Sequence, residues 1–159
     1  MKRIAVIGAG SWGTTLAQVL NDNGHKVALW VRNPEKANKI AQSRYNADYL
    51  PQLKLVDAIE ITSDLTQTVS NAEILLLAVP SHGMADLCYQ LSKITDCTDK
   101  VLVSCTKGFE YHSGLRMSEI IKRVTSQVQP LLYFQGQIMR KKLPSASQQQ
   151  LSLLVKMKT

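Results

Sequence analysis

Residues 4–17 read IAVIGAGSWGTTLA, and the fold is decided by how that stretch is parsed. Lys2–Ile7 is a short apolar, β-branched run that stops at a glycine, as a strand buried on both faces of a parallel sheet does. Gly8-Ala9-Gly10-Ser11-Trp12-Gly13 then fits the pattern G-x-G-x-x-G. Ser11–Asn23 follows with Leu16, Val19 and Leu20 on one helical face and a stop signal at Asn23-Gly24. A second strand, Lys26–Val31 (KVALWV), completes a β-α-β unit of about 30 residues, the context that gives such a glycine pattern its meaning. Each glycine answers a different demand: Gly8 permits the tight turn, Gly10 lets backbone approach a diphosphate, and Gly13 lets the helix pack close to the strand. The N–H groups at the helix start, with the helix dipole, can then hold phosphate without a cationic side chain.

Outward from this unit the same alternation continues. Asn33-Pro34-Glu35 supplies a cap, a first-position proline and a first-turn acid for a helix reaching about Arg44. Asn46–Leu55 (NADYLPQLKL) reads as a loop, Ile59–Thr62 as a third strand, and Ser63-Asp64 as the start of a short helix. Glu73–Val79 (EILLLAV) is the most apolar run, a central strand stopped by Pro80. Gly83–Ile94 reads as a helix, Val101–Cys105 as a fifth strand, and Ser113–Val124 as a helix capped at Ser113. Residues 1–124 are therefore expected to form an α/β domain: a Rossmann-like, doubly wound parallel sheet with helices on both faces.

Composition narrows the function classes. A chain of 159 residues, 45% hydrophobic and 19% charged, holds one ordinary globular domain with a real core. No apolar run approaches the ~20 residues of a membrane-spanning helix, and MKRIAVIGAG runs into glycines without a cleavage-type region. Cys88, Cys97 and Cys105 are odd in number and show no C-x-x-C spacing, which suits reduced thiols in the cytoplasm. The net charge of +7 is uneven: residues 1–124 hold 14 Lys and Arg against all 12 acids, whereas 125–159 hold five Lys and Arg and no acid. With no aromatic interleaving and no basic helix in the folded part, no nucleic-acid partner is expected.

Three strand ends carry polar residues where ligands of open α/β sheets sit. Trp30-Val31-Arg32-Asn33 has no acid before Glu35. An acid there suits the ribose 2′-hydroxyl of NAD and an arginine the 2′-phosphate of NADP, so Arg32 favours NADP over NAD, against the reading of an ordinary solvated arginine. Val79-Pro80-Ser81-His82 and Cys105-Thr106-Lys107-Gly108 close the next two strands. Lys107 could bind a phosphorylated substrate or polarise a carbonyl; by itself it reads rather as a lone surface lysine. His82 reads as a solvent-exposed helix-entry residue, His25 and His112 lie in a turn and a loop, and none has the company a metal site needs. Trp12 either shields a bound cofactor or simply packs.

In order and spacing, IAVIGAGSWGTTLA (Ile4–Ala17), NGHKVALWVRNPE (Asn23–Glu35), NADYLP (Asn46–Pro51), SDL (Ser63–Leu65), AVPSH (Ala78–His82) and TKGFE (Thr106–Glu110) resemble bacterial NAD(P)-dependent glycerol-3-phosphate dehydrogenase. That resemblance implies hydride transfer between NAD(P)H and dihydroxyacetone phosphate, giving sn-glycerol 3-phosphate for phospholipid synthesis in the cytoplasm, by an enzyme that can be a homodimer. It implies that Gly8, Gly10, Ser11, Trp12, Gly13, Arg32 and Pro80 lie at the cofactor, and that Lys107 lies beside both nicotinamide and substrate.

The family pattern next calls for an SGPxxAxEV-like segment and a helical C-terminal domain with the principal catalytic lysine, and residues 125–159 do not match it. Instead they are rich in glutamine and lack acids. Codons permitted for Phe134–Leu143, read one base over, can spell SGPNHAEEV. A one-base shift of the reading frame near residues 125–131 is therefore expected, leaving 125–159 as a non-native tail, disordered or loosely docked, and the chain poorly active. A stand-alone nucleotide-binding module without catalysis is the alternative.

Overall fold

The computed structural model describes residues 1–95, 97–111 and 113–124, with 98 and 124 by backbone alone, and the backbone of 131–133. The elements run β1 (Arg3–Ile7), α1 (Ser11–Asp22), β2 (Lys26–Trp30), α2 (Pro34–Ser43), β3 (Tyr45–Asn46), β4 (Leu50–Lys54), β5 (Glu60–Thr62), α3 (Leu65–Ser70), β6 (Ile74–Leu77), α4 (Met84–Ile94), β7 (Val101–Ser104), α5 (Met117–Val124) and β8 (Leu131–Tyr133). Six strands form one parallel sheet in the order β5-β2-β1-β6-β7-β8. The expected doubly wound architecture is thus present. Its strand order reverses between β1 and β6, so the switch point opens directly beyond Ile7 and Leu77, which are register partners.

Alternation along each strand divides the core in two. Ala5, Ile7, Leu75, Leu77 and Leu102 face α3, α4 and α5, while Ile4, Val6, Val27, Leu29, Leu76 and Val103 face α1 and α2. Both faces of β1 and β6 are apolar because helices cover both, which explains their unbroken hydrophobic sequence. Each fully buried Leu or Ile contributes about 1.5–3 kcal/mol through removal from water.

Local signals set the helix ends. The Asn33 side chain accepts a hydrogen bond from Lys36 N at 3.0 Å, with Pro34 at the first helical position. Asp64 caps α3 the same way, accepting from Gln67 N at 3.0 Å. α2 stops at Arg44, whose φ of +63° is left-handed and whose N–H donates to Ile40 O.

Two expectations need correction. The segment Asn46–Leu55 is not a loop: it is mostly the antiparallel β3–β4 hairpin, irregular in register between Tyr45 and Asn46. Pro51 is tolerated because this two-stranded ribbon leaves edges where no donor is required. The last helix begins at Met117 rather than Ser113. Ser113 Oγ accepts from Leu115 N inside a turn in which Gly114 has φ +65°, and Phe109 bridges to Arg116, so the chain cannot yet be helical. The effective cap is Glu119, whose carboxylate accepts from Arg116 N at 2.8 Å. Within the expected tail, Leu131–Tyr133 pairs in parallel with Leu102–Ser104. The rest of the expected tail lies outside the described residues, as does His112.

Candidate functional site

The turn after β1 is fixed by sterics at two of its glycines. Gly8 has φ +114°, and a Cβ there would lie 2.6 Å from Ala78 O, just beyond β6. At Gly13 a Cβ would come within 1.8 Å of Gly8 O, so α1 lies against the turn as only glycine allows. Gly10 differs: its φ is −73°, and nothing lies within 4 Å of where its Cβ would be. The space beside Gly10 is open.

Backbone bonds hold the turn on three sides. Gly8 N donates to Trp30 O at 3.2 Å, Thr14 N to Gly10 O at 3.0 Å, and Ala78 N to Ile7 O at 2.8 Å. Gly10 N and Ser11 N have no hydrogen-bond partner among the described residues, and they begin α1, whose dipole adds positive potential. Open space, free donors and a helix N-terminus together suit a diphosphate. Ser11 is exposed, whereas Trp12 is half-buried and packs against the core under α1 and α2.

The other expected residues line up along the same sheet edge. Ile7 pairs with Trp30, so Arg32 follows β2 beside the glycine turn, exposed to solvent. Pro80 follows β6 with φ −59°, leading into a 3₁₀ turn over Ser81–Gly83 that carries the exposed His82. Lys107 follows β7, exposed, before Gly108 at φ +88°. Strands lie about 4.8 Å apart, so the three steps from β2 to β7 span roughly 14 Å. Arg32, the glycine turn, Pro80 and Lys107 occupy that edge in this spatial order.

Two residues that sequence reasoning did not single out shape the edge. Thr106 Oγ1 lies 2.6 Å from Val79 O and 3.3 Å from Leu77 O, so its hydroxyl ties the loop of Lys107 to the loop of Pro80. Asn46, only 3% exposed, donates through Nδ2 to Ala9 O and to Thr14 Oγ1, both at 2.8 Å. A threonine at a strand end gives a weak signal; Asn46 gives none locally, because its partners are more than thirty residues away.

Burial pushes the Cys88 and Cys105 thiols up to about 12, so neither offers a thiolate at neutral pH. Among the described residues no cluster of His, Cys, Asp or Glu could hold a metal ion, and no helix is long and apolar enough to cross a membrane.

A parallel sheet with a glycine-lined turn at its switch point defines the dinucleotide-binding class of α/β proteins. Residues 3–139 match the family model for the N-terminus of NAD-dependent glycerol-3-phosphate dehydrogenase, and the chain belongs to that family. The glycerol-3-phosphate dehydrogenase [NAD(P)+] of Corynebacterium glutamicum is 44% identical over 125 residues, covering 79% of this chain and 37% of that protein. Its counterpart from Prosthecochloris aestuarii is 39% identical over 127 residues, covering 80% and 38%. Among solved structures, glycerol-3-phosphate dehydrogenase from Coxiella burnetii superimposes with a TM-score of 0.74 at 28% identity, covering 80% of this chain and 38% of that one. The enzyme from Saccharomyces cerevisiae gives 0.75 at 27%, covering 87% and 42%. The resemblance read from the motifs is correct at the level of the family, and the chain spans about two fifths of the length of these relatives.

Proposed function

We propose that this chain carries the nucleotide-binding half of a cytoplasmic glycerol-3-phosphate dehydrogenase that interconverts dihydroxyacetone phosphate and sn-glycerol 3-phosphate for phospholipid synthesis. The observation that carries the reading is the turn at Gly8–Gly13, with two glycines fixed by sterics and the third, Gly10, facing open space beside free N–H donors. When bound, NAD(P)H would supply the hydride. Gly10 and Ser11 would donate backbone N–H groups to the diphosphate, and Trp12 and Gly13 would complete the wall behind it. Arg32 would take the 2′-phosphate of NADP through its planar, always charged guanidinium. Pro80 would border the nicotinamide. Lys107, a roughly 14 Å step along the edge from Arg32, would hold the substrate by its carbonyl or phosphate charge. A module that binds nucleotide without turning over is the second reading, since open space and free N–H donors at the glycine turn serve binding alone.

Calorimetric titration with NADPH and NADH tests the assignment. Arg32→Ala is expected to weaken NADPH by about 10-fold or more, the size of a lost charge-assisted bond, and to leave NADH nearly unchanged. Equal losses for both nucleotides would remove the NADP preference. Turnover of dihydroxyacetone phosphate by the 159-residue chain at an ordinary enzymatic rate, on the order of 1–1000 per second, would exclude the binding-only reading.

A further inference from the structure

We propose that Asn46 is the positioning residue of the glycine turn: its side-chain amide fixes the Ala9–Gly10 peptide plane so that Gly10 N–H faces the diphosphate. The inference rests on the dinucleotide reading given above and assigns a role to a buried residue that acts through the Ala9 carbonyl.

The geometry leaves the amide little choice. Ala9 O is a carbonyl and can be met only by a donor, so the amide nitrogen must face it; its two N–H groups go to Ala9 O and Thr14 Oγ1, both at 2.8 Å. In a trans peptide the C=O and the following N–H point in opposite directions. Holding Ala9 O toward Asn46 therefore turns Gly10 N–H away from the hairpin, and that N–H has no other partner among the described residues. Without Asn46, Ala9 O would lose its partner, and the peptide would be free to rotate the donor off its target.

The hairpin that carries Asn46 is itself held. Lys36 of α2 pairs with Asp48 at its tip, Tyr49 N donates to Asn46 O at 3.1 Å, and Leu55 N donates to Arg44 O at 2.8 Å. Val56 N reaches Gln18 Oε1 on α1 at 3.1 Å. Asn46 thus acts from a fixed frame, as a support to a preorganised donor should.

The test uses the full chain, labelled with ¹⁵N and titrated with NADH, with thermal unfolding measured alongside. Asn46→Asp replaces the donor facing Ala9 O by a carboxylate oxygen and is expected to weaken NADH by about 10-fold. The Gly10 amide resonance should move downfield on binding in the unaltered chain and lose that shift in the variant. Asn46→Ala, which introduces no charge, should show the same loss if Asn46→Asp folds poorly. Thr14→Val removes the second acceptor and keeps the Ala9 bond; it should lower thermal stability and leave NADH affinity within about 2-fold. A folded Asn46 variant with unchanged affinity and an unchanged Gly10 shift overturns the proposal, as does a Gly10 amide that NADH does not move in the unaltered chain. Failure of the unaltered chain to bind NADH is a separate result, and it removes the dinucleotide reading itself.

Discussion

The two loops that flank the switch point are anchored in opposite ways. The glycine turn is gripped by residues distant in sequence: Trp30 and Asn46 through hydrogen bonds and Ala78 through close backbone contact. The Lys107 loop closes mainly on itself, through the Phe109–Arg116 bridge, Glu110 N to Leu115 O, and Gly114 N to Glu110 O. Among the described residues, the Thr106 hydroxyl ties it to the loop after β6. Phe109 is 60% exposed, whereas no large apolar side chain of the glycine turn is exposed. Binding of a diphosphate needs donors fixed in advance, and distant anchors provide that. A loop that closes largely on itself keeps its own shape, which suits the substrate role proposed for Lys107.

The glycines offer the strongest way to break the comparison. Gly13→Ala sets a methyl 1.8 Å from Gly8 O, against backbone that cannot give way without moving the whole turn. A loss of about 3 kcal/mol or more in denaturant unfolding is expected, with nucleotide binding lost as well. Gly10→Ala has open space and an ordinary φ, so its unfolding should stay within about 0.5 kcal/mol of the parent while NADH affinity falls. If both variants unfold alike, the division of labour among the three glycines is wrong.

Thr106 and Lys107 sharpen the other side. Thr106→Val removes a buried-side donor to Val79 O with little change of shape and should cost about 1–2 kcal/mol of stability. Lys107→Ala should leave unfolding within about 0.5 kcal/mol, because the side chain is exposed and makes no hydrogen bond among the described residues. A large stability loss at Lys107 would mean that the loop is anchored through its lysine after all.

The same contrast explains what could be read from the sequence. The sheet, the glycine turn and the Asn33 cap follow from rules that act over a few residues: a β-branched run, a steric demand, an Asn three positions before the N–H it caps. Arg32, Pro80 and Lys107 were legible because each ends a strand, and strand ends share one edge of a parallel sheet. The β3–β4 hairpin was hidden by its two-residue first strand, its irregular register and Pro51. Asn46 was hidden for a different reason, since nothing within its own hairpin shows that it reaches the first turn of α1. The late start of α5 follows from Gly114, whose positive φ overrides the helix-capping preference of Ser113.

The smallest expected effect lies at the far end of the sheet, away from both loops. His25 is 9% exposed, and its Nδ1 accepts a hydrogen bond from Lys2 N at 3.1 Å where β1 and β2 begin. Burial, and next the charge of the nearby N-terminus, lower its pKa below the ordinary 6.5. The unfolded chain therefore binds a proton at a pH where the folded chain does not. Stability from this residue is complete above about pH 6.5 and falls as the pH drops through the lowered value. The carboxylates of the exposed Asp48 and the half-buried Glu73 are held below their usual range by Lys36 and Lys2 respectively, so they act in a more acidic window. His25→Asn keeps an acceptor near the Nδ1 position and removes the titration. Melting temperatures measured from pH 7.5 to 5 should fall less steeply for that variant than for the parent, while NADH affinity at pH 7.5 stays equal. Parallel curves would show that the amino ends of β1 and β2 do not sense protons, and a changed affinity would mean that the two ends of the sheet are coupled.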